Sequence, residues 1–145
     1  MPEPLLKNNS TGDLMDALSR SFSIRSYIEK NSDAFISSTV SEVLNVYVLK
    51  KGVSKATAIR RAELNERYGY QIFDGNRKPS RDILLCLSVG LTLTLEETQI
   101  LLKTACTAPL YPRNKRDSII MFGLNNCLSL SEINENLYSL NEKTL

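Results

Sequence analysis

The sequence predicts an all-α fold, and three observations carry that reading. Apolar residues recur at helical spacing through most of the chain, alternating strand patterns are scarce, and three of the Ser/Thr-x-x-Glu stretches are read as capping boxes. In such a box a hydroxyl and a carboxylate reciprocally satisfy backbone N–H groups of the first turn, so each box marks a helix start. The three are Thr39 with Glu42, Thr94 with Glu97, and Ser129 with Glu132. At 145 residues, 42% hydrophobic and 23% charged, the chain has the length for one core and the composition of a globular protein.

Residues 1–38 read as an N-terminal arm. Leu14, Met15 and Leu18 indicate a short helix, and Ile24, Tyr27, Ile28, Phe35 and Ile36 form a second apolar patch broken by Ser- and Asn-rich stretches. After Thr39, the residues Val40, Val43, Leu44, Tyr47 and Val48 make one apolar stripe that ends before Lys50, Lys51 and Gly52, a first core helix with a glycine stop. Ser54 caps a short helix over 55–62, with Ala58, Ile59 and Ala62 inward and Arg60 and Arg61 free to point out. The next helix covers about 65–74, and Gly75 ends it in the left-handed conformation that Cβ-bearing residues resist. Pro79 breaks the chain and Ser80 caps a helix carrying Ile83, Leu84 and Leu87, followed by one that starts at the Thr94 box.

Pro109 and Pro112 separate these elements from a tail with two more helices, about 114–126 and 131–140. The tail echoes what precedes it. Arg81-Asp82 recurs 35 residues later as Arg116-Asp117, and the Leu-Thr-Leu-x-Glu of residues 93–97 returns as the Leu-Ser-Leu-x-Glu of 128–132. Leu130, Ile133, Leu137 and Leu140 form a narrow seam suited to a neighbouring helix, within the tail's own hairpin or across a dimer.

Charge and residue inventory narrow the function classes. Residues 1–49 carry four basic and six acidic side chains, 50–81 nine and three, and 82–145 five and seven. The net +2 therefore conceals a +6 segment, the footprint of a face that meets a polyanion. Histidine is absent, as are G-x-G loops, a G-x-x-x-x-G-K phosphate cradle and carboxylates at metal-ligand spacing; neither an enzyme nor a cofactor or metal site is expected. Cys86, Cys106 and Cys127 are far apart, odd in number and set among apolar residues, so each is expected as a small core thiol. MPEPLLKNNS has no signal-peptide pattern, and ILLCLSVGL is far short of the ~20 residues that span a bilayer. A cytoplasmic location and no membrane partner are expected.

Two short helices separated by a few residues must cross steeply, and the second can then project from the body with the dimensions of a major-groove reader. From Ser54 to Pro79, SKATAIRRAELNERYGYQIFDGNRKP resembles the helix-turn-helix DNA-binding domain of the lambda-repressor-like, or XRE, family of bacterial and phage regulators. The resemblance lies in the leading Ser, the length of the helix-turn-helix, the Gly after the second helix and the basic run that ends in Pro-Ser. With flanking helices it covers residues 39–106 and leaves 107–145 as a C-terminal helical hairpin.

The resemblance implies a five-helix domain that binds double-stranded DNA and regulates transcription. Its phosphate-contacting position matches Lys55, its base-reading positions match Glu66, Arg67 and Gln71, and the following loop position matches Arg77. Lys78 and Arg81 would add backbone contacts. Arg67 suits guanine, Gln71 adenine and Glu66 the cytosine amino group. Three departures accompany the match: Glu63 at the tight turn, which implies either a left-handed glutamate or a different turn; Ile59 at a usually small position; and the acids Glu66 and Asp74 near expected phosphates. A homodimer is expected because one short helix reads few base pairs, with the arm and the seam Leu130, Ile133, Leu137 and Leu140 as candidate surfaces. The alternative reading is a helical adaptor that keeps this scaffold and binds a regulatory protein partner.

Overall fold

The computed structural model describes residues 10–21, 23–30 and 39–145. Regular structure among them is entirely helical, so the protein is all-α. The chain divides into two units, residues 1–38 and 39–145. In the first, α1 (Thr11–Arg20) contacts α2 (Ile24–Lys30). Ser10 and Asp13 close a capping box at the start of α1, with Asp in the place where a box usually carries Glu. Met15 and Leu18 are exposed and Tyr27 is buried; Phe35 and Ile36 lie outside the described residues.

The second unit comprises α3 (Val40–Lys51), α4 (Lys55–Arg61), α5 (Glu66–Phe73), α6 (Arg81–Gly90), α7 (Leu95–Thr104), α8 (Lys115–Asn125) and α9 (Leu130–Ser139). Each starts at a Ser, Thr or Asn whose side chain accepts from the backbone N–H three residues on. The Thr94 and Ser129 boxes close fully, whereas Thr39 accepts from Glu42 N–H without the return bond.

A single core runs from Val43 to Leu137, and α6 is its hub: Leu84 to Gly90 are all buried. The short α4 cannot be stable alone and takes its order from packing on α6. The approach is backbone to backbone, since a Cβ on Gly90 would lie 2.4 Å from the Ala58 carbonyl oxygen. Ile59 is accommodated by a glycine opposite it: a Cβ on Gly69 of α5 would stand 2.6 to 2.8 Å from three carbons of the Ile59 side chain. The bulk sits on α4 and the notch on α5, where Gly69 is buried.

The end of α3 is tied to the start of α7 by a charge cluster. Lys50 and Lys51 Nζ lie 2.8 and 2.7 Å from the two oxygens of Glu97, whose side chain is only 9% exposed. Glu97 also accepts from Thr94 N–H at 2.9 Å. Burial alone would raise its pKa, but the two lysines and the Thr94 amide outweigh that effect and hold it at about 2.

Hairpins α6–α7 and α8–α9 repeat each other at the interval of 35 residues, down to single hydrogen bonds. Arg81 Nε donates to Ala108 O and Nη2 to Pro109 O; Arg116 Nε donates to Lys143 O and Nη2 to Thr144 O. Gln99 brackets the backbone of Leu110 through both amide atoms, as Asn134 brackets Leu145. Thr92 and Cys127 share a left-handed φ, as do Cys106 and Asn141. The arginines then cross: Arg81 pairs bidentately with Asp117 at 3.2 and 3.0 Å, and Arg116 with Asp82 at 3.0 Å twice. α6 contacts α9 and α7 contacts α8, so the hairpins embrace rather than stack in one direction.

This architecture corrects the cysteine expectation. Cys86 is buried, and desolvation, helped by Asp82 and Glu63, pushes its thiol up to about 11. Cys106 and Cys127 are exposed instead, because they occupy the left-handed residues just after α7 and α8, where the chain turns outward before its apolar residues resume.

Two outcomes test these contacts. Gly69→Ala gains about 1 kcal/mol of helix propensity but overpacks Ile59 at a cost of about 1–3 kcal/mol. The expected net result is a lower denaturation midpoint, and the double variant with Ile59→Ala should lose less than the sum of the two single changes. Glu97→Gln should lower stability by about 2–3 kcal/mol at pH 7. A carboxylate with depressed pKa contributes fully above its unfolded value of 4.5 and loses that contribution as pH falls toward 2, so urea titrations of the two proteins should converge across that window.

Candidate nucleic-acid interface

The basic segment is built on α4, a four-residue turn (62–65), α5 and the loop to α6. Ser54 Oγ accepts from Thr57 N–H at 3.1 Å and starts α4, which places Lys55 at its first position. Ala58 and Ile59 face the core and leave Arg60 and Arg61 outside. At the turn, Glu63 adopts φ 55°, the left-handed alternative of the two geometries open to it. Its N–H donates to Arg60 O and that of Leu64 to Ile59 O, so the last carbonyls of α4 are satisfied. Asn65 Oδ1 then accepts from Tyr68 N–H at 3.2 Å to begin α5.

On α5 the period of 3.6 residues sorts the side chains. Gly69, Ile72 and Phe73 are buried, while Arg67 and Gln71, one turn apart, share the outer face. After Phe73 the chain reverses through Gly75 at φ 82°, with Gly75 N–H donating to Ile72 O and Asn76 N–H to Gln71 O. Asn45 Nδ2 donates to Phe73 O at 2.9 Å and anchors this end of α5 to α3. The reversal brings Arg77 back beside the helix, its guanidinium 5.6 Å from the centre of the Tyr68 ring. Lys55 Nζ stands 5.8 Å from the centre of the Phe73 ring.

The outcome is an open trough of about 410 Å³ lined by Asn65, Arg67, Tyr68, Gln71, Asn76 and Arg77. Three sequence-predicted residues, Arg67, Gln71 and Arg77, thus line one surface, and no acidic side chain is among the lining. Glu66 and Asp74 are exposed at the two ends of α5 and outside that lining, as is Lys78 in the following loop. Asn65, Tyr68 and Asn76 are additions that residue-by-residue matching passed over. Asn65 stands at the cap of α5, whereas Tyr68 lies about 100° around the helix from Arg67, so no helical spacing marked it.

Arg81 does not belong to this surface. All three of its guanidinium nitrogens donate inward, to Asp117 and to the carbonyls of Ala108 and Pro109. Together with the pairing of Lys50 and Lys51 to Glu97, this removes three of the nine cations counted in residues 50–81 and leaves six against three acids. The positive character is halved in net terms and concentrated around α4 and α5. Leu130, Ile133 and Leu137 are buried in the chain's own core, and Leu140 alone of that seam is exposed, at 46%.

Among the described residues there is no group of three or more His, Cys, Asp or Glu able to hold a metal, and no helix long and apolar enough to cross a membrane. No protein-family profile, no curated protein and no solved structure matches the chain. The functional reading therefore rests on residues and geometry.

Relieving the left-handed strain at the turn gives a direct check on its geometry. Glu63→Gly should stabilise the protein by about 0.5–1 kcal/mol despite the added freedom of the unfolded chain, read as a higher thermal midpoint.

Proposed function

We propose that the protein is a sequence-specific DNA-binding transcriptional regulator of the lambda-repressor-like type, in which α3 to α7 form the five-helix domain and α4 and α5 its helix-turn-helix. The observation that carries this reading is the trough on the outer face of α5, which two guanidinium groups and three carboxamides line with no acid among them. These are the groups that pair bidentately with guanine O6 and N7 and with adenine N6 and N7 along the major groove. α5 has eight residues, about 12 Å of helix, which fits the groove and meets only a few base pairs.

In this reading α5 lies in the groove with Arg67, Gln71 and Arg77 toward base edges. Glu66, at the first turn, accepts from a cytosine amino group, while Lys55 and Lys78 contact phosphates on either side. The few base pairs read by one α5 call for two copies, so the regulator acts as a homodimer on paired half-sites.

Selection from a random duplex library, followed by titration of the winner across salt concentrations, tests the proposal. A regulator enriches a motif and binds it with a steep negative salt slope, far tighter than random duplex. The absence of enrichment and of binding at low salt would reject it and favour the adaptor reading. On the selected duplex, Arg67→Ala should cost about 1–3 kcal/mol and relax one base position, whereas Lys55→Ala should weaken all sequences alike and lower the salt slope by about one.

A further inference from the structure

We infer that Tyr68 is a positioning residue for DNA reading: its ring holds the Arg77 guanidinium at the wall of the trough, so that this loop arginine reads a guanine rather than serving as a loose phosphate contact. The inference deepens the DNA-binding reading and rests on it. Three observations support it.

First, the guanidinium lies 5.6 Å from the ring centre, within cation–π range. A cation–π contact engages no guanidinium N–H in a conventional hydrogen bond, and those donors are what a bidentate pair with guanine uses. Second, the backbone just before Arg77 is already pinned by the bonds from Gly75 N–H to Ile72 O and from Asn76 N–H to Gln71 O. With the backbone held and the guanidinium beside the ring, this exposed arginine enters binding more restricted than one with no neighbour. Third, Arg77 forms no ion pair or hydrogen bond with the protein among the described residues, unlike Arg81 and Arg116, whose guanidinium nitrogens are all engaged internally. Among the described residues nothing competes for its donors.

The test compares wild type, Tyr68→Phe, Tyr68→Leu, Arg77→Lys and the Tyr68→Leu/Arg77→Lys double variant. Each is titrated with the library-selected duplex, with random duplex, and with versions of the selected duplex in which one guanine at a time is replaced by 7-deazaguanine. Tyr68→Phe keeps the ring and should bind within about twofold of wild type. Tyr68→Leu should lose about tenfold on the selected duplex and under about twofold on random duplex. The 7-deaza penalty should vanish at one guanine, the same one for Tyr68→Leu and Arg77→Lys, and the double variant should be no weaker than Arg77→Lys. Arg77 is exposed, so its variant reports on reading even where Tyr68→Leu lowers stability.

Equal losses on selected and random duplex, an intact 7-deaza penalty in Tyr68→Leu, or additive losses in the double variant would each overturn the role of Tyr68. A wild-type protein that binds no duplex overturns the DNA-binding reading and this role with it. The contact itself is checked without DNA: ring-current shifts of the Arg77 Cδ protons should be present in wild type and Tyr68→Phe and absent in Tyr68→Leu, and their absence from wild type would remove the basis of the inference.

Discussion

The folded unit depends on one close approach, the seating of α4 on the buried helix α6 where Gly90 meets the Ala58 carbonyl. α4 has seven residues and α5 eight, too few for either to persist in water without a support. α6 supplies that support because its last seven residues are buried, and the absence of a Cβ at Gly90 lets two backbones approach within van der Waals distance. The position and tilt of α5 follow, since α5 is held on α4 by Ile59 in the Gly69 notch and on α3 by Asn45. A surface side chain such as Arg67 or Gln71 is aimed by contacts it does not itself make.

The duplicated hairpins explain why this support is firm. A bidentate arginine–carboxylate pair fixes distance and angle together, and here two such pairs cross between the starts of α6 and α8. The hydrogen bond from Arg116, only partly offset by desolvation, holds the Asp82 carboxyl below its usual range. Asp117, which is 5% exposed, also accepts from Tyr111 N–H. Removing one partner would leave a poorly hydrated charge without compensation, so a single substitution in this cluster costs more than the intact pair contributes.

Electrostatics divide the cations into two populations with different work. Lys50, Lys51 and Arg81 are drawn inward to Glu97 and Asp117, where they bind helix ends together. Lys55 and Arg77 instead lie against aromatic rings of α5. A ring attracts a cation without neutralising it, so these charges are steadied while remaining able to meet an anion or a base edge.

The helices of residues 39–145 were legible because most begin with a Ser or Thr cap and carry an apolar stripe, both local features that persist whatever the tertiary setting; Ser54, Ser80, Thr94 and Ser129 all cap where their spacing predicts, whereas the caps of α5 and α8, Asn65 and Asn114, carried no such signature. The 35-residue echo was legible too, as a repeated Arg-Asp dipeptide. What local pattern could not convey was partnership. That Arg81 reaches Asp117 and not a phosphate, that Glu97 takes two lysines from α3, that two cysteines end helices rather than fill the core, and that Arg77 returns beside the Tyr68 ring all join or place residues through chain reversal and packing. Periodicity records which face of a helix is apolar; only the folded chain decides which charged group finds another across the gap, because that depends on distances between segments remote in sequence.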